Sequence, residues 1–147
     1  MPTNLTLPSV AGLAPASLPS YRDERGTLVP VELERVVPFP VARVFWVADV
    51  PAGASRGGHA HKECQQFLVC VAGVLTVEVY DGAAERRIAL VAGDALHVPP
   101  GIFAAERYEE PGTVLMVFCD RPYDPADYLA DRTAFRAHRR ELEAAGE

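Results

Sequence analysis

Between residues 27 and 120 the chain is cut into short apolar runs separated by turns, and one run alternates strictly. Within residues 75–80, Leu75, Val77 and Val79 face one way and Thr76, Glu78 and Tyr80 the other, the period of a strand with one buried face. Around it lie "TLVPVELERV" and "ARVFWVADV", split by "PFP", then "QQFLVCV", joined to "VLTVEVY" through Ala72 and Gly73. "RRIALVAGDALHVPPGIF" and "GTVLMVFCD" complete the set. β-branched and aromatic residues fit a pleated, half-buried surface, and many short strands at close spacing predict an all-β sandwich or barrel.

The two ends read differently. Residues 1–20, rich in Pro, Ser, Ala and Leu without a period, read as a loosely ordered N-terminal arm. Residues 21–147 read as one domain, with no repeat and no internal boundary. The last stretch, "YDPADYLADRTAFRAHRRELEAAGE", opens with helix-start residues Asp124, Pro125 and Asp127 and carries basic residues in its later turns. Tyr128, Phe135 and Leu142 recur every seven residues, predicting a terminal helix with one narrow apolar face.

Composition excludes several classes. At 147 residues and 49% hydrophobic content the chain can bury a core, and a net charge of −6 argues against nucleic-acid binding. The three cysteines, Cys64, Cys70 and Cys119, are odd in number and form no CxxC pair, which points to a reducing cytoplasm. The N-terminus lacks a signal-peptide pattern, and no run reaches the ~18–20 apolar residues of a membrane span.

Two of the four histidines, His59 and His61, stand one residue apart in "RGGHAHKECQQ". On a strand they share a face, with Cβ atoms roughly 7 Å apart. That spacing suits a shared metal, and equally two acid–base groups working on neighbouring atoms of one substrate.

The surrounding spacing resembles the cupin superfamily. Gly53, His59, His61, Gln66 and Gly73 fall at the places of its first motif, G-x5-HxH-x(3,4)-E-x6-G. Gly93, Pro99, Gly101, Ala104 and Tyr108 fall at those of its second, G-x5-PxG-x2-H-x3-N. Two metal-ligand positions are lost: Gln66 stands for the glutamate and Ala104 for the third histidine. Two imidazoles and an amide make a poor set for a catalytic metal, which takes three or four protein ligands, so no metal and no cofactor is expected. His97, in "DALHVPPG", is a candidate replacement ligand whose facing the sequence does not fix.

A narrower resemblance covers about residues 22–138. "DERGTL", "PFPVARVFWVADVPAG", "RGGHAH", "QFLVCVAG", "VPPGIF" and "PYDPADYLADRTAF" are similar to the WxcM-like sugar-nucleotide 3,4-ketoisomerases. This resemblance implies a cupin-type β-barrel (jelly roll) with a C-terminal α-helix. It also implies a homodimer with exchanged N-terminal strands and metal-free conversion of a dTDP-4-keto-6-deoxyhexose into its 3-keto isomer. It implies His59 and His61 as the acid–base pair. Arg56 is a candidate for the diphosphate, since its planar fork suits phosphate oxygens, and Arg43 is a second. Gln66 suits a sugar hydroxyl, and Trp46 or Phe45 a stacked ring. The chain departs from the family where Phe45 and Trp46 replace a tyrosine and where Phe103 to Ala105 replace "WHE". A 3,5-epimerase and a non-catalytic sugar-nucleotide-binding cupin are therefore the alternatives.

Overall fold

The computed structural model describes residues 7–146. Their strands are β1 (Ala16–Ser17), β2 (Tyr21–Asp23), β3 (Gly26–Leu28), β4 (Arg43–Val47), β5 (Ser55–His61), β6 (Gln66–Ala72), β7 (Val74–Tyr80), β8 (Glu85–Val91), β9 (Asp94–Val98), β10 (Phe103–Tyr108), β11 (Val114–Cys119) and β12 (Tyr128–Leu129). The helices are α1 (Leu33–Val36) and α2 (Arg132–Ala145).

Ten strands make two five-stranded antiparallel sheets, in the orders β1-β9-β6-β11-β4 and β12-β5-β10-β7-β8. The sheets face each other as a jelly-roll sandwich. Among the described residues no ladder closes them into one continuous barrel. Alternation sets what lies between them. Leu75, Val77 and Val79 of β7 turn inward, as their period predicts, to meet Leu68 and Cys70 of β6 and Leu115 and Val117 of β11.

Both outer faces are covered in part. Leu18, Val37 and Phe39 cap Phe67, Val69 and Phe118 on the first sheet. On the second, Phe135 of α2 is fully buried between the rings of Tyr80 and Phe103, at 5.8 and 5.7 Å. Burying such a ring stabilises by roughly 1.5–3 kcal/mol. Asp131 caps α2 by accepting from the Ala134 N–H at 2.8 Å. Arg139 ties the helix down by donating to the carbonyls of Pro8 and Gly101.

Two local expectations are corrected. The "TLVPVELERV" run is not one strand: β3 stops at Leu28, Pro30 lacks the N–H a ladder needs, and α1 takes up Leu33–Val36. The terminal helix begins at Arg132 rather than near Asp124, because residues Pro125–Asp127 form a 3-10 turn and Tyr128 enters β12. Residues 1–6 of the expected arm lie outside the described residues; within 7–20, Val10, Leu13 and Leu18 are buried, and β1 pairs with β9.

The β2–β3 hairpin stands apart. It pairs with neither sheet, and its Tyr21 and Leu28 are 65% and 62% exposed. β4 is an edge strand whose outward Val44 and Trp46 are also exposed.

Candidate active site

β5 places the histidines. Ala60 turns outward into the cluster beneath α2, so His59 and His61 turn into the sandwich. Their rings meet edge to face at 5.1 Å. Tyr128, opposite His61 on β12, lies 4.9 Å from the His59 ring and 4.5 Å from the His61 ring. Behind it stands Tyr123, 5.7 Å away.

A bulge sets the approach to this pair. Gly57 and Gly58 have φ of 81° and 76°, and the β5–β10 register shifts between Ala104 and Ala105. A Cβ on Gly57 would run into the Glu106 carboxyl and lie 3.2 Å from the Ala104 carbonyl oxygen. Across the bulge, His59 faces Ala104 and Arg56 faces Glu106.

His61 is held by a carboxylate. Its Nδ1 lies 2.8 Å from Oδ2 of Asp127, and both side chains are buried. Asp127 also accepts from the N–H groups of Glu63 at 2.7 Å and Cys64 at 3.3 Å. Burial pushes the Asp127 carboxyl up, but the His61 hydrogen bond and these two N–H groups outweigh it, and the net direction is down. An ionised carboxylate only accepts, so Nδ1 carries the proton and Nε2 presents its lone pair to the interior. That Nε2 is buried and has no partner among the described residues.

Both rings are kept neutral. Burial and the neighbouring His61 push His59 down to about 4. Burial also lowers His61, helped by the Arg43 charge and opposed by Asp127. Arg43 itself reaches in from β4, its Nη2 3.5 Å from the Cys119 sulfur and its guanidinium 5.4 and 5.6 Å from the rings of Phe45 and Tyr123.

The other expected site residues divide. Gln66 is buried beside Cys119, on the inward face shared with Leu68. Arg56 is exposed opposite Glu106, whose carboxyl burial pushes up to about 7. Trp46 lies away from the pair: Arg43 and Phe45 of β4 take the inward face, so Trp46 turns out and is 67% exposed. His97 also turns out, between inward Leu96 and Val98, to hydrogen-bond Gln65 at 2.7 Å beside Phe39. It is no replacement ligand. Asp127, Tyr128, Tyr123 and Glu106 were not singled out as site residues from the sequence. The "PYD-x-x-DY" segment contained three of them, but only the β12–β5 pairing shows where they go.

The model of the family described as FdtA: WxcM-like, C-terminal, matches residues 12–140. A TDP-4-oxo-6-deoxy-alpha-D-glucose-3,4-oxoisomerase of Aneurinibacillus thermoaerophilus is 32% identical over 117 residues, which are 79% of this chain and 84% of that protein. Among solved structures, the WlaRB TDP-quinovose 3,4-ketoisomerase of Campylobacter jejuni matches at 27% identity with a TM-score of 0.78, over 87% of this chain and 99% of that one. QdtA, a sugar 3,4-ketoisomerase of Thermoanaerobacterium thermosaccharolyticum in complex with TDP, shares the fold, with a TM-score of 0.83 at 24% identity over 91% and 98% of the two chains. Matched over most of its length by the family model, and by a relative at this identity, the chain belongs to the FdtA, WxcM-like C-terminal family.

Proposed function

We propose that the protein is a sugar-nucleotide 3,4-ketoisomerase, moving the keto group of a TDP-4-keto-6-deoxyhexose from C4 to C3 by histidine acid–base catalysis. The observation that carries this reading is the inward pair His59 and His61, with Asp127 fixing His61 in its base-competent tautomer. The reaction removes the C3 proton, passes through an enediol, and delivers a proton to C4. His61 Nε2 is the group for the C3 proton, since its lone pair is free. His59, 5.1 Å away, relays protons between the two oxygens. Arg43 is the nearest fixed positive charge for the developing oxyanion, and Gln66 offers an amide to a sugar hydroxyl. Arg56, exposed opposite Glu106, suits the diphosphate. Trp46 has no role in this pocket. The chemistry requires no metal or cofactor, because imidazole transfers protons near neutrality.

The working form is a homodimer. The unpaired hairpin with Tyr21 and Leu28, and the exposed β4 edge with Trp46, are surfaces a second copy would cover by exchanging N-terminal strands. Three free buried cysteines fit a cytoplasmic protein.

The test is incubation with TDP-4-keto-6-deoxyglucose in deuterated water, read by NMR. Deuterium at C4 of a 3-keto product is the expected result. Exchange at C3 and C5 of a retained 4-ketone would make the protein an epimerase, and binding without exchange a non-catalytic module.

A further inference from the structure

Behind His61, on the side away from the proposed substrate, lies a second constellation. A ring nitrogen of His61, the Cys64 sulfur and a carboxylate oxygen of Asp127 all lie within 4.8 Å of one another, all three residues are buried, and Nδ1 is the ring nitrogen that faces Asp127. The buried Cys119 thiol lies near enough to couple electrostatically with Cys64. A tetrahedral ion with bonds of roughly 2.0–2.3 Å needs donors about 3.3–3.8 Å apart, so the cluster closes around one with small side-chain shifts. Imidazole, thiolate and carboxylate together select a borderline-to-soft divalent ion such as zinc or cadmium over magnesium or calcium. None of the cupin positions held by Gln66 and Ala104 takes part.

We propose that this cluster is an inhibitory site for a thiophilic divalent cation, which binds Nδ1 of His61 and thereby silences Nε2. The inhibitory half rests on the ketoisomerase reading; the binding half does not. The Cys64 thiol gives its proton to solvent as the sulfur–metal bond forms, consistent with metal binding releasing protons. The metal takes the Nδ1 lone-pair position, so the neutral ring's single proton moves to Nε2. A base with its lone pair protonated cannot accept the C3 proton. Asp127 keeps its Oδ1 bond to the Glu63 N–H and turns Oδ2 from the ring to the ion. The carboxylate and thiolate carry the negative charge the ion needs, although Arg43, 3.5 Å from the Cys119 sulfur, opposes it. Access is by opening of the turn above Cys64, whose Lys62 and Glu63 are exposed.

The probe is cadmium alone, titrated into the full chain and followed by the ultraviolet thiolate-to-cadmium charge-transfer band and by ring 15N shifts. One equivalent should bind, with the His61 proton moving from Nδ1 to Nε2. Cys64→Ser should weaken binding by about 10–100-fold or more, the scale expected for damage to a metal site. Cys64→Ala, with folding checked by circular dichroism, guards against a local effect of serine. His59→Asn and Cys70→Ser should bind as wild type. In the turnover assay, zinc should inhibit the wild type reversibly on chelation and spare Cys64→Ser. Unchanged cadmium binding in both Cys64 variants, or no saturable binding by the wild type, overturns the site. A cadmium complex whose His61 Nε2 stays unprotonated overturns the silencing, whether or not the protein isomerises sugars.

Discussion

Nδ1 of His61 sits 2.8 Å from Oδ2 of Asp127, two buried side chains 66 residues apart in the chain. The contact orders the ring and chooses its tautomer. Asp127→Asn is expected to cost more than a lost charge. The amide can donate to Nδ1, which moves the ring proton to Nε2 and inverts the tautomer. Turnover should fall roughly 10²–10⁴-fold, the span of one acid–base group, with a smaller change in KM. The Glu63 and Cys64 N–H groups lose part of their acceptor, so a stability loss of about 1–3 kcal/mol should accompany it. Steady-state kinetics with urea denaturation separates the two effects.

His59→Asn and His61→Asn should each lower kcat by roughly 10²–10⁴-fold, with KM moving less. β4 offers Phe45 and Trp46 in place of a tyrosine, and the phenol beside the pair is Tyr128 of β12. Near-normal turnover in both folded variants would remove the histidines from the chemistry.

The buried ionisable groups predict opposite pH slopes. Glu106 is raised to about 7 from 4.5, so its contribution to stability is full below 4.5 and is lost as pH climbs through about 7. Glu106→Gln should therefore gain on the wild type between about pH 5 and 8, by on the order of 3 kcal/mol at most. His59 is lowered from 6.5 to about 4, so the stability it contributes is present above 6.5 and drains away as pH falls toward 4. His59→Asn should flatten that acid limb. Urea midpoints across pH read both. Because both rings are lowered from the ordinary imidazole value, kcat/KM should inflect below it.

Gly57 and Gly58 both adopt positive φ but differ in their surroundings. Gly58→Ala meets no atom within 4 Å and should cost only the ~1–2 kcal/mol of a left-handed residue. Gly57→Ala adds a collision with Glu106 and the Ala104 carbonyl, and should cost clearly more. Thermal unfolding of the two variants side by side gives the comparison.

Much of the fold was legible because it is written in short-range alternation. The inward set Leu75, Val77 and Val79 follows from a period of two, and the histidine pair from a spacing. What the sequence hid was facing and distance. Trp46 has the right chemistry for stacking, but its neighbour Phe45 holds the inward place. His97 is an imidazole on the wrong parity. Asp127 looks like a helix-start residue, and indeed begins no strand; only the pairing of Tyr128 with His61 carries it across to the ring. Pro30 did carry a local warning that "TLVPVELERV" would not run as one strand.

The β5 bulge changes which residues share a compartment. In an uninterrupted strand, Arg56 and His59, three positions apart, would look out of opposite sides of the sheet. The extra residue restores an even count, so Arg56 faces Glu106 while His59 faces Ala104, two places along β10. The chain thus tolerates an odd spacing at this one point. Removal of Gly58 would leave Arg56, His59 and His61 in strict alternation on one side, whereas removal of Ala60 would set the two histidines against each other across the sheet. A deletion at Gly58 therefore keeps all three side chains on one side, whereas one at Ala60 turns one of the histidines away from the other.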